Sequence, residues 1–393
     1  MKRVLSLSTL YPNAASPRFG TFVARSLEAL AAGGDWAITV INPVGVPPLA
    51  FGRYRALKRA AVSSTERGVA VHRPTFPLIP RLGGRMNPAL IARAVLPLAR
   101  RLHAETPFDL VDAQFFYPDG PAAARIAADL GVPLSVKARG ADIHYWGAQP
   151  WARTRMLAAG EQAAGLLAVC GALADDMAAI GLPRAKITVH TTGLDRDRFR
   201  PLQHAQLRRR LGKELGVALP DGAPVLATVG ALIPRKGQAL VIEALTLLPP
   251  ETVLLLVGRG DDEAALRALA RTRGVAARVH FLGSLDHDLL PLVLSAADAM
   301  VLPSSSEGLA NAWVEALACG TPLVITDAGG ARDVVTAPEA GRIVAPDPAA
   351  IARGVHDLLA DPPQREAVAA IADRFSWQAN AAALARYYDG LLA

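Results

Sequence analysis

The sequence predicts an α/β protein of two doubly wound domains, each a mostly parallel sheet covered by helices on both faces. Three observations carry this. Short apolar runs rich in Val, Ile and Leu alternate with Ala/Leu/Arg-rich segments of helical length along the whole chain, the mark of parallel strands buried on both sides. The runs number about thirteen, more than one open twisted sheet ordinarily carries. A charged stretch bearing Gly and Pro, GLDRDRFRPLQ from Gly193 to Gln203, separates a strand from a helix near mid-chain and reads as the seam.

Taken in order, RVLSLSTL, WAITVINP, VAVHRPTF, DLVDAQF, LSVKAR, GLLAVC and KITVHTTG are the strands of a first domain, residues 1–197. PVLATVG, TVLLLVG, RVHFLG, DAMVLPS, PLVITDA and GRIVAP are those of a second, residues 198–376. The last helix, WQANAAALARYYDGLL, follows Ser376, a suitable N-cap, and at about 377–393 is expected to cross back to the first domain.

The 393 residues are 51% apolar and 20% charged, which gives ample core and excludes disorder. Cys170 and Cys319 sit in apolar surroundings and read as small core residues in a reducing compartment. No apolar run reaches the roughly 18 residues of a membrane-spanning helix. The start, MKRVLSLSTLYP, imitates a signal peptide, but Ser and Thr interrupt the apolar run and no small-residue cleavage site follows. A first buried strand and a cytoplasmic location are therefore expected.

Charge is unevenly spread. Residues 1–101 hold 15 Lys/Arg against 3 Asp/Glu, a net of +12, whereas residues 201–393 hold 17 against 21, a net of −4. The partner of the basic part should be anionic: a membrane surface, a nucleic acid or an acidic substrate. FGRYRALKRA and RMNPALIARAVLPLARRL place Arg53, Arg55, Lys58, Arg59, Arg85, Arg93, Arg100 and Arg101 among apolar residues, a composition suited to an anionic membrane interface.

The most informative stretch is SSSEGLANAWVEALACGTPLV, Ser304 to Val324. Glu307 and Glu315 are its only acids, and between them all but Asn311 is small or apolar. A strand ends at Ser304–Ser306, Gly308 permits a tight turn, and a helix is expected from about Leu309 to Cys319, stopped by Gly320 and Pro322. Glu307 then lies at a strand's carboxyl end, where open parallel sheets bind ligands, and Glu315 on the helix's second turn. The amides of Leu309, Ala310 and Asn311 offer an anion seat. Eight residues span roughly 12 Å at helical rise, about enough to set one acid on each side of a pyrophosphate. Carboxylates accept paired hydrogen bonds from vicinal sugar hydroxyls, so the arrangement fits a nucleotide sugar. Singly, each acid has a plain structural explanation as a dipole partner or surface residue; together, with the Gly and the Pro-led strand, they favour function.

EGLANAWVE followed by ALACGTPLV resembles the E-x7-E signature of retaining glycosyltransferases of family 4, which have the GT-B fold, two Rossmann-like domains facing each other across a cleft. The resemblance runs over nearly the whole chain: YPNAASPRFGTFV, VDAQFFYPDG, RGADI and ITVHTTGLDRDRF in the first half, VGALIPRKG, VGRGDDE and FSW in the second. It implies a nucleoside diphosphate sugar, UDP- or GDP-linked, held by the second domain, an acceptor held by the first, and neither cofactor nor metal. Glu315 would bind the ribose, Glu307 the sugar that moves, and Gly308–Asn311 the distal phosphate, with Arg235, Lys236 and Gly20 on the diphosphate. The base would rest near Gly258 and the turn Phe281–Leu285, holding Leu282, Gly283 and Leu285, with Gly230 also in the nucleotide site. Ala231 stands where the family often has arginine, Thr192 where it has asparagine, and Arg139 where it has histidine.

The implied partner is a lipid-linked or saccharide acceptor of cell-envelope polysaccharide synthesis, met at the inner face of the cytoplasmic membrane, with no nucleic acid and the oligomeric state open. Two other readings stay open: a GT-B epimerase or phosphorylase acting on soluble sugars, and a non-catalytic nucleotide-sugar-binding subunit.

Other signals are weaker. GALIPRKG lacks the Gly-Lys-Ser/Thr of a P-loop. Asp286–Asp288 imitates a metal-binding Asp-x-Asp but reads as helix-capping acids. His144 reads as an ordinary loop histidine. Arg139 ends a strand and, being permanently charged, needs an anion: either Asp142, three residues on, or a carboxylate or phosphate of a substrate.

Overall fold

The computed structural model describes residues 1–17, 19–79, 83–202, 204–217, 219–220, 222–286 and 288–393, with the side chains of residues 53 and 204–206 set aside. Gln203, the last residue of the expected seam, and His287 of the Asp286–Asp288 motif lie outside the described residues, as does the side chain of Arg53. The chain divides into two compact units, Met1–Gly193 with Trp377–Ala393, and Leu194–Ser376.

The first unit contains β1 (Lys2–Leu7), β2 (Trp36–Ile41), β3 (Val44–Val46), β4 (Ser64–Glu66), β5 (Val69–His72), β6 (Thr75–Pro77), β7 (Leu110–Ala113), β8 (Leu134–Ala138), β9 (Gly165–Ala168) and β10 (Ile187–Val189). Eight of these form a sheet in the order β10-β9-β8-β7-β1-β2-β5-β4, parallel except for the edge strand β4. The expected single strand VAVHRPTF is two. Pro74 has no N–H to continue the ladder, so the chain leaves the main sheet after His72 and β6 pairs instead with β3.

The second unit contains β11 (Val225–Val229), β12 (Val253–Val257), β13 (Val279–Gly283), β14 (Ala299–Leu302), β15 (Leu323–Thr326) and β16 (Gly341–Val344), in the order β13-β12-β11-β14-β15-β16, all parallel. Successive strand residues serve opposite faces. Val225, Ala227, Val253 and Leu255 pack with Trp313 on one side, and Leu226, Leu254 and Leu256 with Ile242 and Ile351 on the other. Strand order reverses between β11 and β14 here, and between β7 and β1 in the first unit. At such switch points the loops diverge and open a crevice at the strands' carboxyl ends.

The helix Trp377–Leu392 packs against the helix Thr21–Ala32 in the first unit. Asn380 ties it down. Its Nδ2 donates to the Thr191 carbonyl at 2.7 Å, its Oδ1 accepts from Ser26 Oγ at 2.8 Å, and its carbonyl lies 3.0 Å from His190 Nε2. A Cβ on Gly193 would meet the Trp377 ring at 2.0 Å, so only glycine fits there. Cys170 and Cys319 are both free and buried. Among the described residues no helix is long and apolar enough to cross a membrane.

Candidate active site

The residues expected in the second unit converge on its switch point. After β11 the chain runs through Gly230 to Arg235 and Lys236, then turns at Gly237 into the helix Gln238–Ala244. Gly237 has φ +71°, and a Cβ there would meet the Pro303 carbonyl at 2.3 Å. That close approach fastens the loop to the one following β14, as does the Ser305 amide donating to the Arg235 carbonyl at 2.9 Å. Lys236 Nζ thereby meets Glu307 Oε1, Arg235 Nη1 stands 3.4 Å from the same oxygen, and Arg235 also donates to the Ser306 carbonyl. Residues 71 apart in sequence thus become an ion cluster. Glu307 is 8% exposed at its side chain and Arg235 44%, so the cluster is inward at the acid and open at the guanidinium.

The loop after β15 secures Glu307 from behind. The Gly330 amide donates to the Gly308 carbonyl at 2.7 Å, and a Cβ on Gly329, at φ +52°, would lie 2.2 Å from the Glu307 carbonyl. This loop was missed from the sequence; the Gly-Gly pair five residues past Val324 was the available signal.

The helix begins at Asn311 and ends at Ala318, two residues later than expected. Gly308 is held in the turn by Gly330, and Ala310 is extended at φ −70°, ψ 118°, so helical dihedrals start only beyond it. Its first amides are those of Asn311 and Ala312, and the N–H groups from Leu309 to Ala312 have no backbone acceptor among the described residues. The helix closes on Gly320 in the left-handed region, with Gly320 and Thr321 amides on the Leu317 and Ala316 carbonyls, the expected stop. Glu315 is half-buried and has no hydrogen-bond or ion partner among the described residues. Burial raises its pKa to about 7. A carboxylate enclosed without a donor is poised for one brought by a ligand.

Gly230, Gly258 and Gly283 follow or close β11, β12 and β13. The Gly230 amide donates to the Val257 carbonyl at 2.9 Å and the Gly258 amide to the Gly283 carbonyl at 2.8 Å. Gly258, at φ +141°, leaves no room for a Cβ, which would lie 1.9 Å from the Gly230 carbonyl. Leu282 and Leu285 pack half-buried on the core beside them.

Gly20 and Arg139 belong to the first unit. Gly20, at φ +73°, caps the helix Thr21–Ala32, and a Cβ there would lie 2.5 Å from the Leu10 carbonyl. Arg139 does not pair with Asp142. Its Nε donates to the Gln114 carbonyl at 2.7 Å, its Nη2 to Gln114 Oε1 at 2.6 Å, and it lies over the Phe22 ring. Asp142 instead accepts from the backbone amides of Phe116, Arg139, Gly140 and Ile143, a tighter sink for a buried carboxylate than one mobile side chain. Desolvation lowers the Arg139 pKa to about 10. His144 pairs with Asp176 at 2.9 Å. Asp288 is exposed, 3.6 Å from Arg198, and the helix after it starts only at Leu290, so it caps nothing. Among the described residues no three metal-ligating side chains gather.

Comparison with known proteins places this geometry. The family model for glycosyl transferases group 1 matches residues 216–375, and that for glycosyltransferase family 4 matches residues 20–198. A GDP-mannose-dependent alpha-(1-6)-phosphatidylinositol monomannoside mannosyltransferase of Mycolicibacterium smegmatis is 33% identical over 62% of this chain and 67% of its own length. D-inositol 3-phosphate glycosyltransferase 2 of Catenulispora acidiphila is 34% identical over 53% of this chain and 52% of its own. In fold, the chain resembles the Anabaena protein Alr3699/HepE in complex with UDP, with a TM-score of 0.74 at 21% identity over 99% of this chain and 100% of that one. The chain belongs to the family 4 glycosyltransferases, with the GT-B fold.

Proposed function

We propose that the protein is a retaining, metal-independent glycosyltransferase that moves a sugar from a nucleoside diphosphate to a hydroxyl of a lipid-linked or saccharide acceptor. The observation that carries this reading is the Glu307–Lys236–Arg235 cluster at the switch point, with Glu315, which has no partner among the described residues, on the helix Asn311–Ala318 that follows it. In this reading Glu315 takes the ribose hydroxyls and Glu307 the hydroxyls of the sugar that moves. Lys236 and Arg235 turn from Glu307 toward the diphosphate, where they stabilise the charge that develops as the bond from the anomeric carbon to the phosphate oxygen breaks. The acceptor oxygen bonds that carbon on the same face, and its proton passes to the leaving phosphate. The amides of Leu309–Ala312 hold the distal phosphate.

The relatives' names supply the first donors and acceptors to try. One is GDP-mannose-dependent and acts on a phosphatidylinositol mannoside, the other on D-inositol 3-phosphate, which makes a GDP-linked sugar and an inositol-bearing acceptor the leading pair. The basic first unit would meet an anionic cytoplasmic membrane face where such a lipid is presented. The test is release of nucleoside diphosphate from GDP-mannose or UDP-glucose with and without acceptor lipid, and the anomeric configuration of the product by NMR. Binding of neither nucleotide, or an inverted product, overturns the reading.

A further inference from the structure

Arg139 and Gln114 are the first residues past the neighbouring strands β8 and β7. Gln114 is 1% exposed. Its Nε2 donates to Asp112 Oδ2, which turns Oε1 toward Arg139. That oxygen takes Arg139 Nη2 at 2.6 Å, and the Gln114 carbonyl takes Nε at 2.7 Å. The pair fills one edge of the guanidinium, and the Phe22 ring, with its centroid 4.7 Å from Cζ, fixes its plane. The other edge, Nη1 with the second N–H of Nη2, is left over. Nη1 makes no hydrogen bond among the described residues, and it is not sealed from solvent as the unpartnered Nε atoms of Arg3 and Arg73 are.

No acid among the described residues forms an ion pair with this guanidinium. Asp142 is spent on backbone amides. Asp112 accepts from Gln114 and from Ser6 Oγ at 3.1 Å, and Asp119 from the Thr9 amide at 2.8 Å. These acids favour the charge only from a distance. Arg73, in the same unit, shows the contrast. Its side chain is 4% exposed, Glu66 lies 2.6 Å from its Nη2, and its two Nη atoms also reach Val62, Ser64 and Pro12. An arginine with an internal task has an internal anion. Arg139 is held as firmly, with one edge facing out and no anion to meet it.

We propose that Arg139 is a specificity residue for a substrate that bears a carboxylate or phosphate in addition to the nucleoside diphosphate, and that Gln114 positions it. This rests on the glycosyltransferase reading and names the substrate class. Burial lowers the Arg139 pKa only to about 10, so the group is a cation at neutral pH. Two parallel N–H donors match a carboxylate or a phosphate, and a single neutral hydroxyl satisfies neither the pair nor the charge. In the glycosyltransferase reading the diphosphate already has Lys236 and Arg235 of the other unit. A third fixed cation therefore calls for a further anion. A neutral analogue would leave the guanidinium covered and unpaired, which is how such sites discriminate.

The test titrates the full chain by calorimetry with UDP, GDP and two donor pairs, UDP-glucose against UDP-glucuronic acid and GDP-mannose against GDP-mannuronic acid. Saturation-transfer NMR compares methyl α-glucoside with glucose 6-phosphate, with and without nucleotide. The wild type should prefer the charged member of at least one pair tenfold or more. Preference within a donor pair assigns the anion to the sugar that moves, and preference within the last pair to the acceptor. Arg139→Gln should abolish the preference and leave UDP, GDP and the neutral members within twofold. Arg139→Lys should restore little of it, because an ammonium is a point charge without the paired edge. Gln114→Glu supplies an internal anion and should also abolish the preference, with cooperative melting retained. No preference in the wild type overturns the proposal, whatever the variants do. So does an equal loss of UDP or GDP affinity in Arg139→Gln, which would give the arginine to the diphosphate alone. Binding of neither nucleotide overturns the glycosyltransferase reading, while an Arg139-dependent preference for glucose 6-phosphate would leave the anion site standing.

Discussion

Glu315 and Glu307 are both acids at one switch point, yet their surroundings give them opposite electrostatic states. Glu307 meets two cations; Glu315 meets none among the described residues, and burial raises its pKa from 4.5 to about 7. The folded protein therefore holds a proton on Glu315 that the unfolded chain has released between those pH values. The associated stability is present below pH 4.5 and lost as pH rises through 7. Glu315→Gln should raise stability at pH 8 by about 2 kcal/mol and change little at pH 4, as urea unfolding at the two pH values will show. Nucleotide binding should run the other way, because ribose hydroxyls donate to the ionised form. GDP or UDP affinity is expected to fall as pH drops below 7. Glu315→Ala should cost about 1.5–3 kcal/mol of that affinity by calorimetry. Glu307→Ala releases Lys236 and Arg235 from their internal partner, so nucleotide affinity should hold while turnover falls at least tenfold. Equal loss of affinity in both variants would exchange the two roles.

At the scale of elements, the returning helix Trp377–Leu392 leans on one side chain, that of Asn380. Three contacts of Asn380 join it to the helix Thr21–Ala32 and to the segment after β10. Asn380→Ala removes two side-chain bonds and strands the buried Ser26 hydroxyl, a cost of about 2–3 kcal/mol, measurable as a lower urea midpoint at unchanged m-value. The apolar runs made the strands legible, because burial on both faces leaves no polar residue to blur them. The Glu307–Lys236 ion pair was not read from the sequence: the family resemblance set Lys236 on the diphosphate and Glu307 on the sugar, and nothing local joins residues 71 apart. What escaped the sequence was set by distant backbone. Gly330 delays the helix start at Asn311, and four amides claim Asp142 before the Arg139 guanidinium can. The break at Pro74 was locally readable and was passed over, because valine alternation on one side and Thr-Phe on the other imitate one strand.

For the molecule as a whole, charge follows the division into units. The first carries 23 Lys/Arg against 13 Asp/Glu and the second 19 against 22, so attraction to an anionic surface belongs to the first. Not all of its basic residues are available. Arg100 pairs with Asp129 and Arg101 stands 3.9 Å from Glu105, while Arg85 lies over the Trp151 ring. The helix Arg53–Ala60 is better placed. Arg55, Lys58 and Arg59 are exposed on it, Tyr54 and Leu57 are half-buried, and just before it Leu49 and Phe51 are 74% and 71% exposed. Apolar residues beside a basic helix can enter the headgroup region while the cations stay on anionic lipid. Each exposed cation near such a surface is worth about 1 kcal/mol at low salt. The protein should therefore co-sediment with vesicles rich in phosphatidylglycerol at low ionic strength and be released as salt shortens the screening length. Arg55→Glu/Lys58→Glu/Arg59→Glu should abolish that binding. Leu49→Ser/Phe51→Ser should weaken it even at low salt, because its contribution is apolar and unscreened. Both variants should keep wild-type turnover on a soluble acceptor, since the changes spare the second unit. If the triple variant still binds vesicles, the membrane contact lies elsewhere; if the wild type does not bind at low salt, the acceptor is a soluble one.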